Sequence, residues 1–275
     1  MDIKAKTFDR HLSATSNPGA VAMTAGGVAR NIAHNLGMLG ADVRLLTVFG
    51  HDTGGDMLLA HTTRAHVDMS HCLRVNGNTG TYVAILGSTG ELISAVSDMS
   101  LMENLDVVFV AKNVRLFEEA EIVVADCNLN IATLNAIAEI CADRLVVEPV
   151  SLSKCQKLLR LLDNRPVFLA TPNRAQIEAL TGTLNIEKAC AILHEKGLKN
   201  IVIHAGEDGA FVSDGQKIET IMSCATKIID VTGAGDAATA GLIMGLVQNL
   251  PLIKAAMFGQ EISARVIASN ASTLD

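Results

Sequence analysis

Short apolar runs alternate with amphipathic helical stretches over the second half of the chain. Four runs are short enough to be buried strands, and they cover residues 122–125, 145–148, 167–170 and 200–204. Helical periodicity predicts helices in the intervals, over residues 131–142, 153–163 and 174–196. Short buried strands that alternate with helices are typical of a parallel sheet covered by helices on both faces. We therefore expect an α/β fold.

The first third of the chain predicts a smaller β-element beside this body. Residues 81–86 and 91–96 form two apolar, β-branched runs separated by a glycine-containing turn. Such a pair predicts a hairpin. We expect strands from about 3–25 and 72–98 to form a small lid on a single domain that spans residues 1–275.

A glycine-rich turn near the end of the chain opens a long apolar helix. The turn is Thr232-Gly233-Ala234-Gly235, Asp236 follows it, and apolar residues continue to about Gln248. Such a turn leaves backbone N–H groups unpaired at the positive end of the helix dipole, where anions and above all phosphates bind. A carboxylate there repels a docked phosphate, but it can take a proton from a hydroxyl that attacks the phosphate. Asp236 is therefore a candidate general base.

The same residues have two simpler interpretations. Asp236 can be an ordinary first-turn acid, with glycines that only make a tight turn. The spacing of Gly233, Gly235 and Ala238 also fits a dinucleotide-binding fingerprint. That fingerprint requires a following strand with an acid about 20 residues on, whereas the segment after Gln248 predicts another helix. We reject the dinucleotide interpretation and keep the first-turn acid as an alternative.

Polar residues just after the predicted strands are further candidates, because ligands bind at the carboxyl ends of parallel strands. They are Asp126, Asn128, Glu148, Asn173 and the segment 206–209. No Gly-Lys dipeptide occurs in the sequence, so a P-loop lysine is absent.

Composition narrows the function classes. A net charge of −7, a single Tyr and no Trp argue against a nucleic-acid surface, which needs basic patches and stacking rings. No apolar run approaches the roughly 18 residues of a membrane span, and the first residues lack the apolar core of a signal peptide. The six Cys include no C-x-x-C pair, which favours reduced thiols in a cytoplasmic protein.

Two signatures together resemble those of the ribokinase-like (PfkB-type) carbohydrate and nucleoside kinases. The first is Gly26-Gly27-Val28-Ala29-Arg30-Asn31, and the second is Asp230-Val231-Thr232-Gly233-Ala234-Gly235-Asp236. The resemblance covers nearly the whole chain. Within the family it is strongest to the pseudouridine kinases, through segments 16–19, 30–33, 78–79, 97–99, 124–128 and 149–154. It implies a three-layer α/β/α fold with a mostly parallel central sheet and a small β-strand lid.

The resemblance also implies roles for individual residues. Asp236 would deprotonate the 5′-hydroxyl of the sugar, and the N–H groups of Gly233, Ala234, Gly235 and Asp236 would form the anion hole. The residues that would hold the acceptor are Asp2, Gly26, Gly27, Asn31 and Asn128. Those that would contact ATP are Asn173, His204, Gly206 and Gly209, and the last helix would border the adenine with Gln260, Ser263 and Asn270. Mg²⁺ would be organised indirectly by Gln176 and Glu178, and K⁺ would lie near Asp230.

The sequence departs from the family pattern in two places. The N-x-x-E motif appears as Asn173-Arg174-Ala175-Gln176, with a neutral amide where a glutamate normally organises Mg²⁺. Glu178 lies two positions on, which turns it to a different face of a helix. The family also has a strand before the acid that aligns with Asp2 and a further element at the other end, so we expect truncation at both ends.

Three functions stay open on the sequence alone. The first is ATP-dependent phosphorylation of pseudouridine to pseudouridine 5′-phosphate. The second is another PfkB-type sugar or nucleoside kinase, acting on ribose, inosine or adenosine. The third is a catalytically weak, nucleoside-binding relative, which Gln176 favours and the retained Asp236 opposes. The resemblance further implies a homodimer formed through the lid, with no nucleic-acid or membrane partner.

Overall fold

The computed structural model describes residues 1–225, 227–269 and 271–275. The strands are β1 (Asp2–Thr7), β2 (Gly19–Thr24), β3 (Val48–Gly50), β4 (Leu73–Val75), β5 (Thr81–Leu86), β6 (Leu92–Asp98), β7 (Val123–Asp126), β8 (Leu145–Glu148), β9 (Val167–Ala170), β10 (Leu198–His204), β11 (Ala210–Ser213) and β12 (Ile218–Ile221). The helices are α1 (Val28–Met38), α2 (Thr53–Arg64), α3 (Val107–Lys112), α4 (Val114–Glu119), α5 (Ile131–Cys141), α6 (Gln156–Leu162), α7 (Arg174–Thr181), α8 (Ile186–Glu195), α9 (Ala234–Val247) and α10 (Leu252–Ile267).

The main sheet has the order β12-β11-β10-β9-β8-β7. Strands β7 to β10 pair in parallel, whereas β11 and β12 return antiparallel at the far edge. The predicted strands of the second half are confirmed, and the sheet is mostly parallel. The helix predicted over 174–196 is instead two helices, because Gly182 ends α7 in the left-handed conformation and Asn185 caps the start of α8.

Helices cover both faces of this sheet, and the strands alternate accordingly. In β8, the fully buried Leu145 and Val147 pack into the layer formed by α5 to α8. Val146, between them, packs with Leu36 of α1 and Leu242 of α9 in the opposite layer. Both layers are apolar because every residue of these central strands faces a helix. The three-layer α/β/α arrangement is confirmed.

The predicted lid is a second, four-stranded sheet with the order β2-β1-β5-β6. Residues paired directly across strands point to the same face of a sheet. The row Met23, Ile3, Val83 and Val96 therefore lines one apolar face, together with Val21 two residues along β2. The alternate residues of β1, including Asp2 and Lys4, point to the opposite face.

That opposite face lies against the main body. Lys4 Nζ donates to Thr232 Oγ1 at 2.7 Å, just before α9, and the Asp2 carboxyl lies over Gly26. The lid is smaller than expected, since Leu73–Val75 pairs in parallel with β3 in a separate two-stranded sheet. No helix in the described part of the chain has the length and apolar character needed to cross a membrane.

Candidate active site

The start of α9 presents free backbone donors. Gly233 has φ of 79°, and a Cβ there would lie 2.0 Å from the carbonyl oxygen of Ser272, so only glycine fits. Ala234 donates its N–H to Val231 O at 3.2 Å, which removes it from the expected set of four donors. Among the described residues, the N–H groups of Gly233, Gly235 and Asp236 have no hydrogen-bond partner. Three donors and the helix dipole therefore converge at this point.

Asp236 is held by a residue of the first glycine signature. Asn31 Nδ2, on α1, donates to Asp236 Oδ2 at 2.6 Å across 205 residues of sequence. Burial raises the pKa of the Asp236 carboxyl to about 7, and the Asn31 hydrogen bond opposes that rise. The neighbouring Asp126 raises the pKa further, whereas Arg30 lowers it. A carboxylate with this pKa can accept a proton near neutral pH.

The first glycine signature joins the lid to this carboxylate. A Cβ on Gly26 would lie 2.2 Å from an oxygen of Asp2, so the absence of a side chain lets the lid strand approach α1. Gly27 has φ of 99° and precedes the first turn of α1, which carries Asn31. Asp2, Gly26, Gly27, Asn31 and Asp236 therefore form one continuous group.

A first cavity of about 590 Å³ opens beside this group and extends between the edge strands β3 and β7. Near α1 it is lined by Gly26, Gly27, Arg30, Asp126 and Asn128, and deeper it is apolar. Asp126 Oδ2 accepts from Asn128 Nδ2 at 3.0 Å and from the Ala29 N–H at 3.2 Å. The mouth of the cavity is thus polar and hydrogen-bonding.

Lys154 completes this polar edge. Its Nζ donates to Asn128 Oδ1 at 2.5 Å, which brings an ammonium group to the carboxyl end of β7. This hydrogen bond orients the lysine toward Asn128.

A second cavity of about 340 Å³ has Asp236 in its wall. It is lined by Glu148, Asn173, Gln176, His204, Gly206, Gly209, Gly235, Asp236, Gln260 and Ser263. In the described part of the chain, a Cβ on Gly235 would meet no atom nearer than 3.9 Å, so this glycine leaves open space in the cavity wall. The N-terminal turn of α1 separates the two cavities, since Gly27 and Ala29 line the first and Val28 lines the second.

Gln176 has a structural task at the edge of the second cavity. Asn173 Oδ1 accepts from the Gln176 N–H at 2.9 Å, and Gln176 Oε1 accepts from the Asn173 N–H at 2.8 Å. This reciprocal capping box fixes the start of α7. Glu178 is exposed and does not line the cavity, because two residues along a helix turn it away. The structure therefore does not bring Glu178 to the site.

Glu148 and His204 are buried polar groups at the same cavity. Burial raises the pKa of Glu148 to about 8, against the hydrogen bond that Thr171 Oγ1 donates to Glu148 Oε2 at 2.6 Å. Burial lowers the pKa of His204 to about 4, so the ring is neutral. His204 Nε2 lies 3.1 Å from Thr239 Oγ1, whereas Nδ1 has no partner in the described structure. The Nδ1 of His204 is therefore available to a polar ligand.

The structure thus brings most of the predicted residues to two adjoining cavities, the second of which is lined by Asp236. Asn270, expected near the adenine, lies outside the described residues. Arg30 and Asp126 contribute more to the site than the sequence indicated. Arg30 is only 6% exposed. The signal available in the sequence was a charged residue inside the first glycine signature, one position before Asn31.

Comparison with known proteins identifies the family. Residues 1–274 match the family model described as pfkB family carbohydrate kinase. The chain belongs to the pfkB family. It is 36% identical to the pseudouridine kinase of Escherichia coli over 263 residues, which cover 93% of this chain and 83% of that protein.

Two further proteins are similar to this chain over nearly its whole length. The guanosine-inosine kinase of Exiguobacterium acetylicum is 25% identical over 100% of this chain and 93% of its own length. The ribokinase of Arabidopsis thaliana, solved with ribose and ATP, superposes with a TM-score of 0.88 at 19% identity. That superposition covers 98% of this chain and 90% of the other, and it shows the shared ribokinase-like fold.

As a pfkB-type kinase, the protein is a phosphotransferase with a hydroxyl acceptor, and the family implies ATP and a divalent metal. The described residues contain no group of three or more His, Cys, Asp or Glu side chains that could hold a metal alone. The free N–H donors at α9 nevertheless suit phosphate oxygens, and the carboxyl of Glu148 would suit the cation that arrives with them once that cation displaces its proton. The second cavity therefore fits a metal–nucleotide complex.

Proposed function

We propose that this protein transfers the γ-phosphoryl group of ATP to the 5′-hydroxyl of pseudouridine. Asp236 is the general base, and the N–H groups of Gly233, Gly235 and Asp236 are the anion hole. The new bond joins the 5′-oxygen to phosphorus, the bond to the ADP oxygen breaks, and the hydroxyl proton goes to Asp236.

One observation carries the proposal. Asp236 lines the second cavity together with Gly235 and Asn173, and it is bonded to Asn31 on α1, the helix that opens with the glycine signature lining the first cavity. A base in the nucleotide cavity that is tied to the wall of the acceptor cavity has the arrangement that in-line phosphoryl transfer requires. An ordinary first-turn acid needs neither a raised pKa nor a partner on another helix.

The transition state of phosphoryl transfer is loose and anionic, so the protein acts by alignment and charge stabilisation. Fixed backbone donors at α9 supply that stabilisation without reorganising during the reaction. Lys4 joins the lid to Thr232 beside the anion hole, which supports closure of the lid over the acceptor. A closed lid excludes water, which would otherwise compete as the acceptor.

Mg²⁺ would be held between the ATP phosphates and the polar wall formed by Glu148 and Asn173, and it would neutralise phosphate charge. Gln176 then supports Mg²⁺ only through the cap that orients Asn173.

Asp230 is the expected neighbour of K⁺. Its Oδ2 lies 3.7 Å from Lys4 Nζ, so the lysine ammonium already supplies a positive charge there. A rate that does not respond to K⁺ is the result expected from that pairing.

We further propose that the protein is a homodimer formed through the lid. The outer face of the lid carries exposed apolar side chains, including Val21 (69% exposed), Met23 (53%) and Val96 (68%). A contiguous apolar sheet face is typical of an interaction surface. A second copy of this sheet supplies a complementary apolar face.

The choice of pseudouridine is supported by the 36% identity to a pseudouridine kinase. The second candidate is a purine nucleoside acceptor, which the full-length likeness to a guanosine-inosine kinase favours. A coupled ADP-release assay with pseudouridine, uridine, inosine, adenosine and ribose separates the two. We expect the highest kcat/KM with pseudouridine. A preference for inosine or adenosine would contradict the assignment, and nucleoside binding without turnover would indicate a weak relative.

A further inference from the structure

Arg30 is buried beside the proposed base without contacting it by a hydrogen bond. Its guanidinium donates through Nε to Gly26 O at 2.9 Å and through Nη2 to Ala25 O at 3.0 Å. Nη2 also donates to Asn31 Oδ1, and Nη1 lies 3.3 Å from His61 Nδ1. Adjacent residues of a helix do not normally face each other. Here the two meet because the guanidinium folds back onto the carbonyl groups that precede α1.

The hydrogen bond from Arg30 to Asn31 Oδ1 decides which way the Asn31 amide points. An amide has an acceptor oxygen at one end and a donor NH₂ at the other, and the two ends have nearly the same shape. Arginine has only donors, so it must face Oδ1. Nδ2 is then directed at Asp236 Oδ2, which it reaches at 2.6 Å. The reverse orientation would set two donors against each other and an oxygen against the carboxylate.

We propose that Arg30 is a positioning residue for the general base, which acts by fixing the orientation of Asn31 so that Nδ2 holds Oδ2 of Asp236. The inference rests on the proposed function only in treating Asp236 as the base. It predicts that the ionised carboxylate is held by one oxygen, while the other oxygen stays available to the acceptor hydroxyl. It also leaves Asn31 a single N–H for the substrate.

The geometry requires the fork of arginine and not merely a positive charge. Nε and Nη2 donate to two successive carbonyl groups, and Nη2 also donates to Asn31 Oδ1. A lysine has a single ammonium nitrogen and cannot place donors at these separate positions. Behind the guanidinium, His61 stacks on His34 with ring centroids 4.7 Å apart. Burial lowers the pKa of both rings, so His61 is neutral and its Nδ1 accepts from Arg30.

Charge alone predicts a different outcome, which makes the inference testable. The charged groups that face Asp236 are Arg30 on α1, Asp2 on β1 and Asp126 at the end of β7, with Glu148 at the end of β8. If Arg30 acted only as a cation among these groups, Arg30→Lys would preserve the rate. If it acts through Asn31, Arg30→Lys loses the same function as Asn31→Ala.

The experiment is a double-mutant cycle of Arg30→Lys and Asn31→Ala. Each single variant is expected to lower kcat at least about tenfold, since a misdirected base loses alignment, with KM for ATP changed less than about twofold. The pair is expected to lose no more than about twofold beyond Asn31→Ala alone. Losses that multiply would overturn the inference. Arg144→Lys is the matched control and should retain the wild-type rate, because Arg144 also donates to two successive carbonyl groups, those of Phe117 and Glu118, and lines neither cavity.

A second measurement does not need an acceptor. In protein labelled with ¹³C at aspartate carboxyl groups, the Asp236 resonance is identified by its loss in Asp236→Asn and titrated in each variant. We expect the same upward pKa displacement in Arg30→Lys, in Asn31→Ala and in the pair, and separate, additive displacements would refute the inference. Thermal unfolding checks that each variant is folded, and Arg30→Gln takes the place of Arg30→Lys in the kcat cycle if that variant is not.

The two claims fail separately. If Asp236→Asn keeps normal turnover, the proposed function loses its base, whereas the titration still decides whether Arg30 orients Asn31. If Asp236→Asn is inactive and the cycle is additive, the proposed function stands and only the role of Arg30 is lost.

Discussion

Gly235→Ala is a substitution that should stabilise the protein while inactivating it. Gly235 lies in the first turn of α9 and does not have a positive φ, so alanine fits its backbone. The nearest described atom to a Cβ at this position is His204 Cδ2 at 3.9 Å, which is ordinary contact. The new methyl group would instead project into the second cavity, where the phosphates are proposed to bind.

The magnitudes follow from these distances. Alanine in place of glycine within a helix stabilises the folded state by about 0.5–1 kcal/mol. A displacement of the phosphoryl group by about 1 Å costs on the order of a hundredfold in rate. We therefore expect a slightly higher midpoint in urea unfolding together with a roughly hundredfold lower kcat/KM for ATP in the coupled assay.

Gly233→Ala is the matched control two residues earlier. Its φ of 79° and the 2.0 Å approach of Ser272 O mean that a methyl group cannot be accommodated without strain. It should lower the free energy of unfolding by at least about 2 kcal/mol. Wild-type kinetics in Gly235→Ala would refute the assignment of this turn as the anion hole, and marked destabilisation would refute the geometry.

Three other predictions follow from the charges and surfaces described above. The base must be ionised, so kcat/KM should fall about tenfold per pH unit below pH 7. Asn31→Ala removes the hydrogen bond that lowers the Asp236 pKa, so the acidic limb of the pH–rate profile should move about one pH unit higher. An unchanged acidic limb would contradict the contact between Asn31 and Asp236. Glu148 keeps its proton to about pH 8 when folded, so the free energy of unfolding should decline as pH rises from about 4.5 to 8. Glu148→Gln should therefore raise the free energy of unfolding at pH 9, by up to about 5 kcal/mol, and with it Tm. The gain should be much smaller at pH 5, and equal gains at both pH values would argue against a raised pKa. Val21→Lys with Val96→Lys should convert a dimer to a monomer in sedimentation, and a monomeric wild type would exclude the lid interface.

The main sheet could be predicted from sequence because its strands are short, apolar and separated by periodic helices. Residues 145–148 and 167–170 were predicted with the bounds observed for β8 and β9. The break at Gly182 was missed because amphipathic periodicity continues on both sides of it. The partner of β4 could not be predicted, since its three residues fit a lid strand and a neighbour of β3 equally well.

The site was predictable at the level of motifs and not at the level of contacts. Two glycine signatures indicated which residues would meet, and Asn31 and Asp236 do meet across 205 residues. The orientation of the Asn31 amide depends on Arg30, whose contacts arise from the path of the chain before α1. The capping box of Gln176 likewise needs the conformation of Asn173, which spacing alone does not specify.

The central claim is tested most directly by product formation from pseudouridine and ATP in wild-type protein and in Asp236→Asn. The account predicts pseudouridine 5′-phosphate, identified by ³¹P and ¹H NMR, from the wild type and a rate at least about a thousandfold lower from the variant. The variant should still bind ADP, because Asn preserves the size of the side chain. Undiminished product formation by Asp236→Asn would contradict the claim that this carboxylate is the base.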